Sequence, residues 1–368
     1  MEKVRFTSLD VFRGLAICLM IVVNTQGAGA KAFPILEHAD WFGFTAADIV
    51  FPSFLFAVGN ALAFGGRKEM PNGDFWLKTL RRVAVIFGLG VFLYWFPFVH
   101  QDNGHWVVNP FNDTRIMGVL QRIALCYGIA AVAARYLGVR SLIALSLVLL
   151  FGYWAILVFN QPAGVAFSKA QNFGNVIDLI FPGKSHMYKW DEGFEPEGLL
   201  GTLPATVNVI WGYLAGLYIK KHTPSRYVAI RFLAVGIGLI LLANIWGMYF
   251  PIGKKLWTSS FVALTVGIDL VVLSGLITLI DLWKVRAGTR FFEIFGRNPL
   301  AIYLFSELLI TVLWMIPIGK YDSWTAFGMM VQSITPGAIG ALLCGIVYML
   351  VCWLVAWGLD RNKIVIKI

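Results

Sequence analysis

Seven ionisable side chains fall inside long apolar runs of this sequence, and they are the first residues with chemistry to offer. They are Asp10, Arg13, Asp48, Arg122, Asp269, Arg297 and Glu307. A charge within such a run is costly, so it faces a bundle interior or a water-filled cavity and finds a partner there. Three cations and four anions imply internal pairing around a polar interior, with Arg122 expected to pair with an acid such as Asp48, Asp269 or Glu307. Simple locking of helix packing is the competing reading for each of them.

The first run, SLDVFRGLAICLMIVVNTQG, carries the most information. Asp10 and Arg13 are three residues apart and therefore neighbours on a helix surface. Asn24 follows Arg13 by eleven residues, which returns it to nearly the same face about 16 Å further along the axis. One stripe thus bears an Asp–Arg pair at one end and an amide at the other.

The segment EHADWFGFTAADIVFPSFLFAVG comes next. His38 is the only histidine close in sequence to the first two apolar runs, and a histidine with an ordinary pKa near 6.5 suits proton transfer at neutral pH. Taken alone, a histidine in such a loop is more often incidental than catalytic. Thr45 and Asp48 fit a T-x-x-D capping pattern, so Asp48 could simply satisfy a helix N-terminus. Pro52 is expected to kink the second helix one turn in.

These residues must be held by elements suited to a bilayer. Hydrophobic residues make up 58% of the 368 residues and charged residues only 14%, and the mean hydropathy is +0.74. A soluble domain of this length needs more charge on its surface. A helix crosses the hydrocarbon core with about 20 apolar residues, and runs of that kind recur throughout. The spans read as 9–30, 44–65, 79–98, 116–136, 140–160, 203–220, 232–250, 258–281, 291–316 and 336–359. The expected fold is therefore all-α, a single membrane domain over 1–368 of about ten transmembrane helices, give or take one. Residues 161–202 form its largest connection, containing the acids Asp191, Glu192, Glu195 and Glu197, either a rim over the interior or a plain surface loop.

The net charge of +10 follows topology rather than a nucleic-acid partner. Lys3 and Arg5, then Arg67, Lys68, Lys78, Arg81 and Arg82, then Arg135 and Arg140 mark alternate connections. Lys220, Lys221, Arg226 and Arg231, then Lys284, Arg286 and Arg290, and finally Arg361, Lys363 and Lys367 continue the series. The positive-inside rule makes these ends cytoplasmic, puts both termini there, and places the 161–202 connection outside. The first run starts too early and lacks an A-x-A site, so it reads as a retained span. Cys18, Cys126, Cys344 and Cys352 lie within spans and read as small buried hydrophobes. No metal-ligand spacing, P-loop or G-x-S-x-G elbow occurs, so no metal or permanently bound cofactor is expected.

SLDVFRGLAICLMIVVN followed by HADWFGFTAADIVFPSFLFAVG resembles the heparan-alpha-glucosaminide N-acetyltransferase family and its bacterial relatives, within a wider group of transmembrane acyltransferases. GVLQRIALCY, PEGLLGTLPA and FGRNPLAIYLFSELL are compatible with it in the same order, so the resemblance covers most of the chain. It implies a minimal bacterial version in the cytoplasmic (inner) membrane, without the extra lumenal domain of the animal enzyme. It implies acetyl transfer across the bilayer, from cytoplasmic acetyl-CoA as co-substrate to the amine of a glucosamine-type sugar. The family's catalytic histidine falls on His38 and its first-helix asparagine on Asn24.

The residue pattern suits that activity. His38 and Asn24 fall at the expected outer mouth, while Arg13, Arg297 and Asn298 lie at the inner end, where the CoA phosphates would stay. Arg297 and Asn298 open the ninth span beside backbone N–H groups suited to anions, although packing explains them as well. Asp10, Asp48, Arg122, Asp269 and Glu307 are then structural or pore-lining. Direct attack with His38 as base and an acetyl-histidine route both remain open. An amino-sugar or ion transporter and an O-acyltransferase of cell-surface glycans are the rival functions. A homodimer through an apolar helix face is compatible with the pattern.

Overall fold

The computed structural model describes residues 6–66, 69–102, 105–162 and 164–366. Lys3, Arg5, Arg67, Lys68 and Lys367, which entered the charge pattern, lie outside the described residues. The chain is built from helices: α1 (Thr7–Asn24), α2 (Val50–Ala63), α3 (Asn72–Trp95), α4 (Val119–Tyr136), α5 (Val139–Phe159) and α6 (Phe173–Asp178). There follow α7 (Thr202–His222), α8 (Arg226–Gly247), α9 (Ser259–Leu276), α10 (Thr289–Arg297), α11 (Pro299–Met315), α12 (Ser323–Ile334) and α13 (Ala338–Arg361). Among the described residues, two short antiparallel strand pairs interrupt the series, β1 (Val99–Asp102) with β2 (His105–Val108), and β3 (Pro317–Ile318) with β4 (Tyr321–Asp322).

Among the described residues, six helical stretches are long and apolar enough to cross a membrane: Thr7–Asn24, Val139–Phe159, Thr202–His222, Arg226–Gly247, Ser259–Leu282 and Ala338–Arg361. They mark the chain as an integral membrane protein. α5 and α8 carry Leu147, Val148 and Phe151, and Ile230, Leu241 and Ile245, exposed along their lengths. In water such faces would be a liability, whereas in lipid they are the solvated surface. The second expected span is shorter than anticipated, since α2 holds 14 residues. Its Pro52 lies in the first helical turn, where a missing N–H costs nothing, instead of kinking the helix one turn in.

The ninth expected span, 291–316, is not one continuous helix. α10 and α11 meet at 84° and count as a seventh crossing only if taken together. Pro299 is the cause: it lacks an N–H and drives the residue before it away from helical geometry. Asn298 accordingly sits at φ −129°, ψ 48°.

Two compact units emerge. The first comprises 6–38, 45–54 and 275–366, hence α1, the start of α2 and α10 to α13. Its tightest contact joins α1 to α10, where a Cβ on Gly14 would lie 1.8 Å from the Phe292 carbonyl oxygen and one on Gly296 2.2 Å from that of Asp10. Only glycines allow the two backbones so close, the small-residue device of membrane helices. α13 is fastened by Tyr348, whose hydroxyl donates to the Ser306 carbonyl at 2.5 Å, and by Trp353, stacked on Phe291 with centroids 5.2 Å apart.

The second unit comprises 39–44 and 55–274. Tyr153, Leu157, Phe194, Leu200, Phe250 and Leu256 form a buried core there, with Trp41 packed against it. Trp41 meets Phe194 edge-on at 4.9 Å and donates from Nε1 to the Phe167 carbonyl at 2.9 Å. The segment just after His38 is thereby pinned to the 161–202 connection.

Candidate active site

His38 and Asp48 form the most chemically suggestive pair in the first unit. His38 Nδ1 lies 2.9 Å from Asp48 Oδ1, with the imidazole 42% exposed and the carboxylate fully buried. The other carboxylate oxygen is also held, because the Thr45 backbone N–H donates to Asp48 Oδ2 at 3.0 Å. The Thr45 hydroxyl donates to the Glu37 carbonyl at 2.7 Å, fixing the residue before His38. The T-x-x-D pattern therefore does cap the turn, and the same aspartate spends its second oxygen on the histidine.

An ionised carboxylate only accepts hydrogen bonds, so the shared hydrogen resides on Nδ1 of the neutral ring. Nε2 then carries the lone pair of the ring, and the imidazole as a whole is part-exposed. A base whose orientation and tautomer are set by a buried third group is the arrangement general-base catalysis requires.

Asn24 ends α1 and is exposed. The loop after it closes on itself, with Gln26 Nε2 donating to the Leu36 carbonyl at 3.0 Å.

At the other end of α1, Arg13 Nη1 sits 3.5 Å from Asp10 Oδ1 and donates to the Gly296 carbonyl at 3.0 Å. Arg13 thereby ties α1 to the last turn of α10. Arg297 closes α10 instead of opening a helix, and both it and Arg290 pair with Asp360 of α13. Asn298 donates to the Ile364 carbonyl at 2.9 Å and accepts from the Ile366 N–H at 2.8 Å. Asp360 escaped the sequence reading because it stands at the end of an apolar run beside Arg361, where a solvated acid is the ordinary expectation.

Arg122 belongs to the second unit, and the ion pair expected for it with Asp48, Asp269 or Glu307 does not form. Its Nη2 donates to the Gly198 carbonyl at 2.9 Å, and the guanidinium lies over the Trp257 ring at 5.0 Å. Asp48 is engaged by His38 within the first unit. Asp269 is buried in α9.

The acids of the 161–202 connection are no plain surface loop. Arg115 binds both Glu195, at 3.0 Å through Nε, and Glu197, at 2.5 Å through Nη2. Burial alone would raise Glu197, but Arg115, with Arg122 and Lys254 beyond it, holds the carboxyl below the usual range. Asp178 accepts from the Leu199 N–H at 2.9 Å, and burial pushes its carboxyl up to about 7. Asp191 is buried between Lys169 and Lys255, whereas Glu192 stays exposed.

Comparison with known proteins converges on the segment that holds this pair. Residues 5–182 match the family model described as heparan-alpha-glucosaminide N-acetyltransferase, catalytic. The human heparan-alpha-glucosaminide N-acetyltransferase is 27% identical over 367 residues, covering 83% of this chain and 53% of the human protein. The mouse protein of the same name is 25% identical over 409 residues, covering 94% of this chain and 59% of its own length. The chain thus spans little more than half the length of the curated relatives it matches. The matched region includes Asn24, His38, Asp48 and Arg122; Asp269, Arg297, Asn298, Glu307 and Asp360 lie beyond it.

Proposed function

We propose that this relative of the heparan-alpha-glucosaminide N-acetyltransferases is a transmembrane enzyme that carries acetyl from cytoplasmic acetyl-CoA to the amine of a glucosamine-type sugar on the other side. The relatives' names supply the reaction class, and the observation that carries the reading in this chain is the His38–Asp48 pair. Ten crossings with both termini cytoplasmic complete the proposal, with α3 and α4 spanning despite their charges and α2 spanning despite its length. The alternating basic connections support that arrangement.

The mechanism follows from the donors and acceptors. A neutral sugar amine attacks the thioester carbonyl carbon, and the carbonyl oxygen gains negative charge. The Asn24 amide donates to that oxygen. As the new C–N bond forms, His38 Nε2 takes the proton from the amine nitrogen. Asp48, buried behind Nδ1, stabilises the imidazolium so created. The C–S bond then breaks, CoA leaves as the thiolate, and a proton from the imidazolium or water neutralises it. Direct transfer is preferred, because the pair supplies one oriented base and a pore could hold both substrates end to end.

Arg13, Arg297 and Asn298 remain the residues assigned to the CoA phosphates. Arg297 would then exchange part of its contact with Asp360 for phosphate. Vesicles loaded with acetyl-CoA and given external glucosamine test the whole reading. Acetylated sugar outside the vesicles is the expected product; uptake of unmodified glucosamine without acetyl-CoA would instead reveal a carrier.

A further inference from the structure

We infer that the turn joining α7 to α8 binds the phosphate headgroup of an anionic phospholipid, with Arg231 as its anchor. Lys220, Lys221 and His222 close α7, and Arg226 opens α8 after a short turn. No Asp or Glu occurs between Gly198 and Ile268, so nothing in this stretch of sequence offsets those charges. The two lysines, Arg226 and Arg231 form no ion pair among the described residues, whereas Arg115, Arg290 and Arg297 are all spent on buried carboxylates. The lysines complement the negative C-terminal end of the α7 dipole, which is an ordinary role. That role does not extend to Arg226. It stands in the first turn of α8, at the positive end of that helix, where a cation is disfavoured and an anion is favoured.

The positive-inside bias accounts for basic residues at a membrane end, but it does not require a fixed guanidinium. Arg231 Nη1 donates to the Tyr218 hydroxyl at 3.1 Å. Its guanidinium lies 4.8 Å from the centre of the Tyr227 ring and 5.9 Å from that of Tyr218, and His222 packs on Tyr218 at 4.5 Å. Arg231 nevertheless remains exposed. The planar fork is therefore ordered before a ligand arrives, so less freedom is lost on binding, and its geometry matches paired phosphate oxygens. The same side of α8 continues as an apolar stripe, since Tyr227, Ile230, Ile237, Leu241 and Ile245 are exposed and recur at helical spacing. In a membrane protein such a stripe faces acyl chains. A phosphate at Arg231 and an acyl chain along the stripe are two parts of one lipid. This continuity selects a phospholipid over a free anion.

Native mass spectrometry of the purified protein from neutral-detergent micelles tests the site. Dioleoylphosphatidylglycerol is the anionic probe and dioleoylphosphatidylcholine the zwitterionic one. Wild type is expected to retain phosphatidylglycerol in preference to phosphatidylcholine. Arg231→Gln should weaken that retention by about 10-fold or more, the loss of hydrogen bonds to a charged group. Arg140→Gln removes another exposed cation, from the start of α5, and as the matched control should stay within about 2-fold of wild type. Tyr227→Leu leaves every charge in place but takes away the nearer ring. It should weaken retention by about 3-fold or more, and it carries the test if Arg231→Gln does not fold. Inorganic phosphate at the concentration of the lipid should not displace it. Equal losses in Arg231→Gln and Arg140→Gln would reduce the preference to bulk attraction. Displacement by inorganic phosphate would make this a site for free anions, and no preference in wild type would remove the site altogether. Each of these three results overturns the inference.

Discussion

Asp48 holds His38 by its Nδ1 atom at 2.9 Å while its other oxygen takes the Thr45 N–H at 3.0 Å. One buried carboxylate therefore caps the turn and sets the tautomer of an exposed imidazole. A cap alone would not need the histidine, and a lone base would not need the burial. Asp48→Asn separates the two duties. Asparagine can still accept from Thr45, but it no longer demands a hydrogen on Nδ1 and cannot balance an imidazolium. The variant should fold, keep its KM values and lose about 10²–10⁴-fold in kcat, read by steady-state acetylation. Unchanged kcat would reduce Asp48 to a cap.

The α1–α10 contact makes a sharper structural prediction. A Cβ at Gly14 would enter the backbone of Phe292 at 1.8 Å, and backbone cannot rotate aside. Gly14→Ala should therefore cost about 1–3 kcal/mol or more by overpacking, seen as a lower melting temperature in detergent. Gly73→Ala, where a Cβ meets open space, is the matched control and should be neutral.

Asp178 gives the pH dependence. Its folded-state pKa is raised to about 7 by burial, above the ordinary 3.8. The folded state thus binds this proton more tightly than the unfolded one. The associated stability is fully present below pH 3.8 and is lost as pH rises through about 7. Melting temperature should accordingly decline between pH 5 and pH 8, and Asp178→Asn should flatten that decline. Parallel profiles for the two proteins would contradict the assignment.

Membrane character was legible in the sequence because lipid imposes long apolar runs whatever the tertiary packing. His38 and Asn24 became candidates only through the resemblance, since neither spacing nor composition distinguishes a working loop histidine from an incidental one. The placement of Asp48 was half legible: T-x-x-D announces a cap, but the separation of ten residues from His38 follows no helical period, so their contact is tertiary information. The break before Pro299 could have been read from that proline, whose neighbour Asn298 is forced out of the helix. Arg122 failed as an ion-pair prediction because its carbonyl and indole partners, Gly198 and Trp257, carry no charge pattern to read.

The most direct measurement compares wild type with His38→Ala in vesicles loaded with acetyl-CoA and supplied with external glucosamine. Binding of CoA is followed in parallel by calorimetry on the detergent-solubilised proteins. The account predicts that His38→Ala retains its fold and CoA affinity and loses at least about 10²-fold in acetyl transfer. Transfer by His38→Ala within a few-fold of wild type would contradict it.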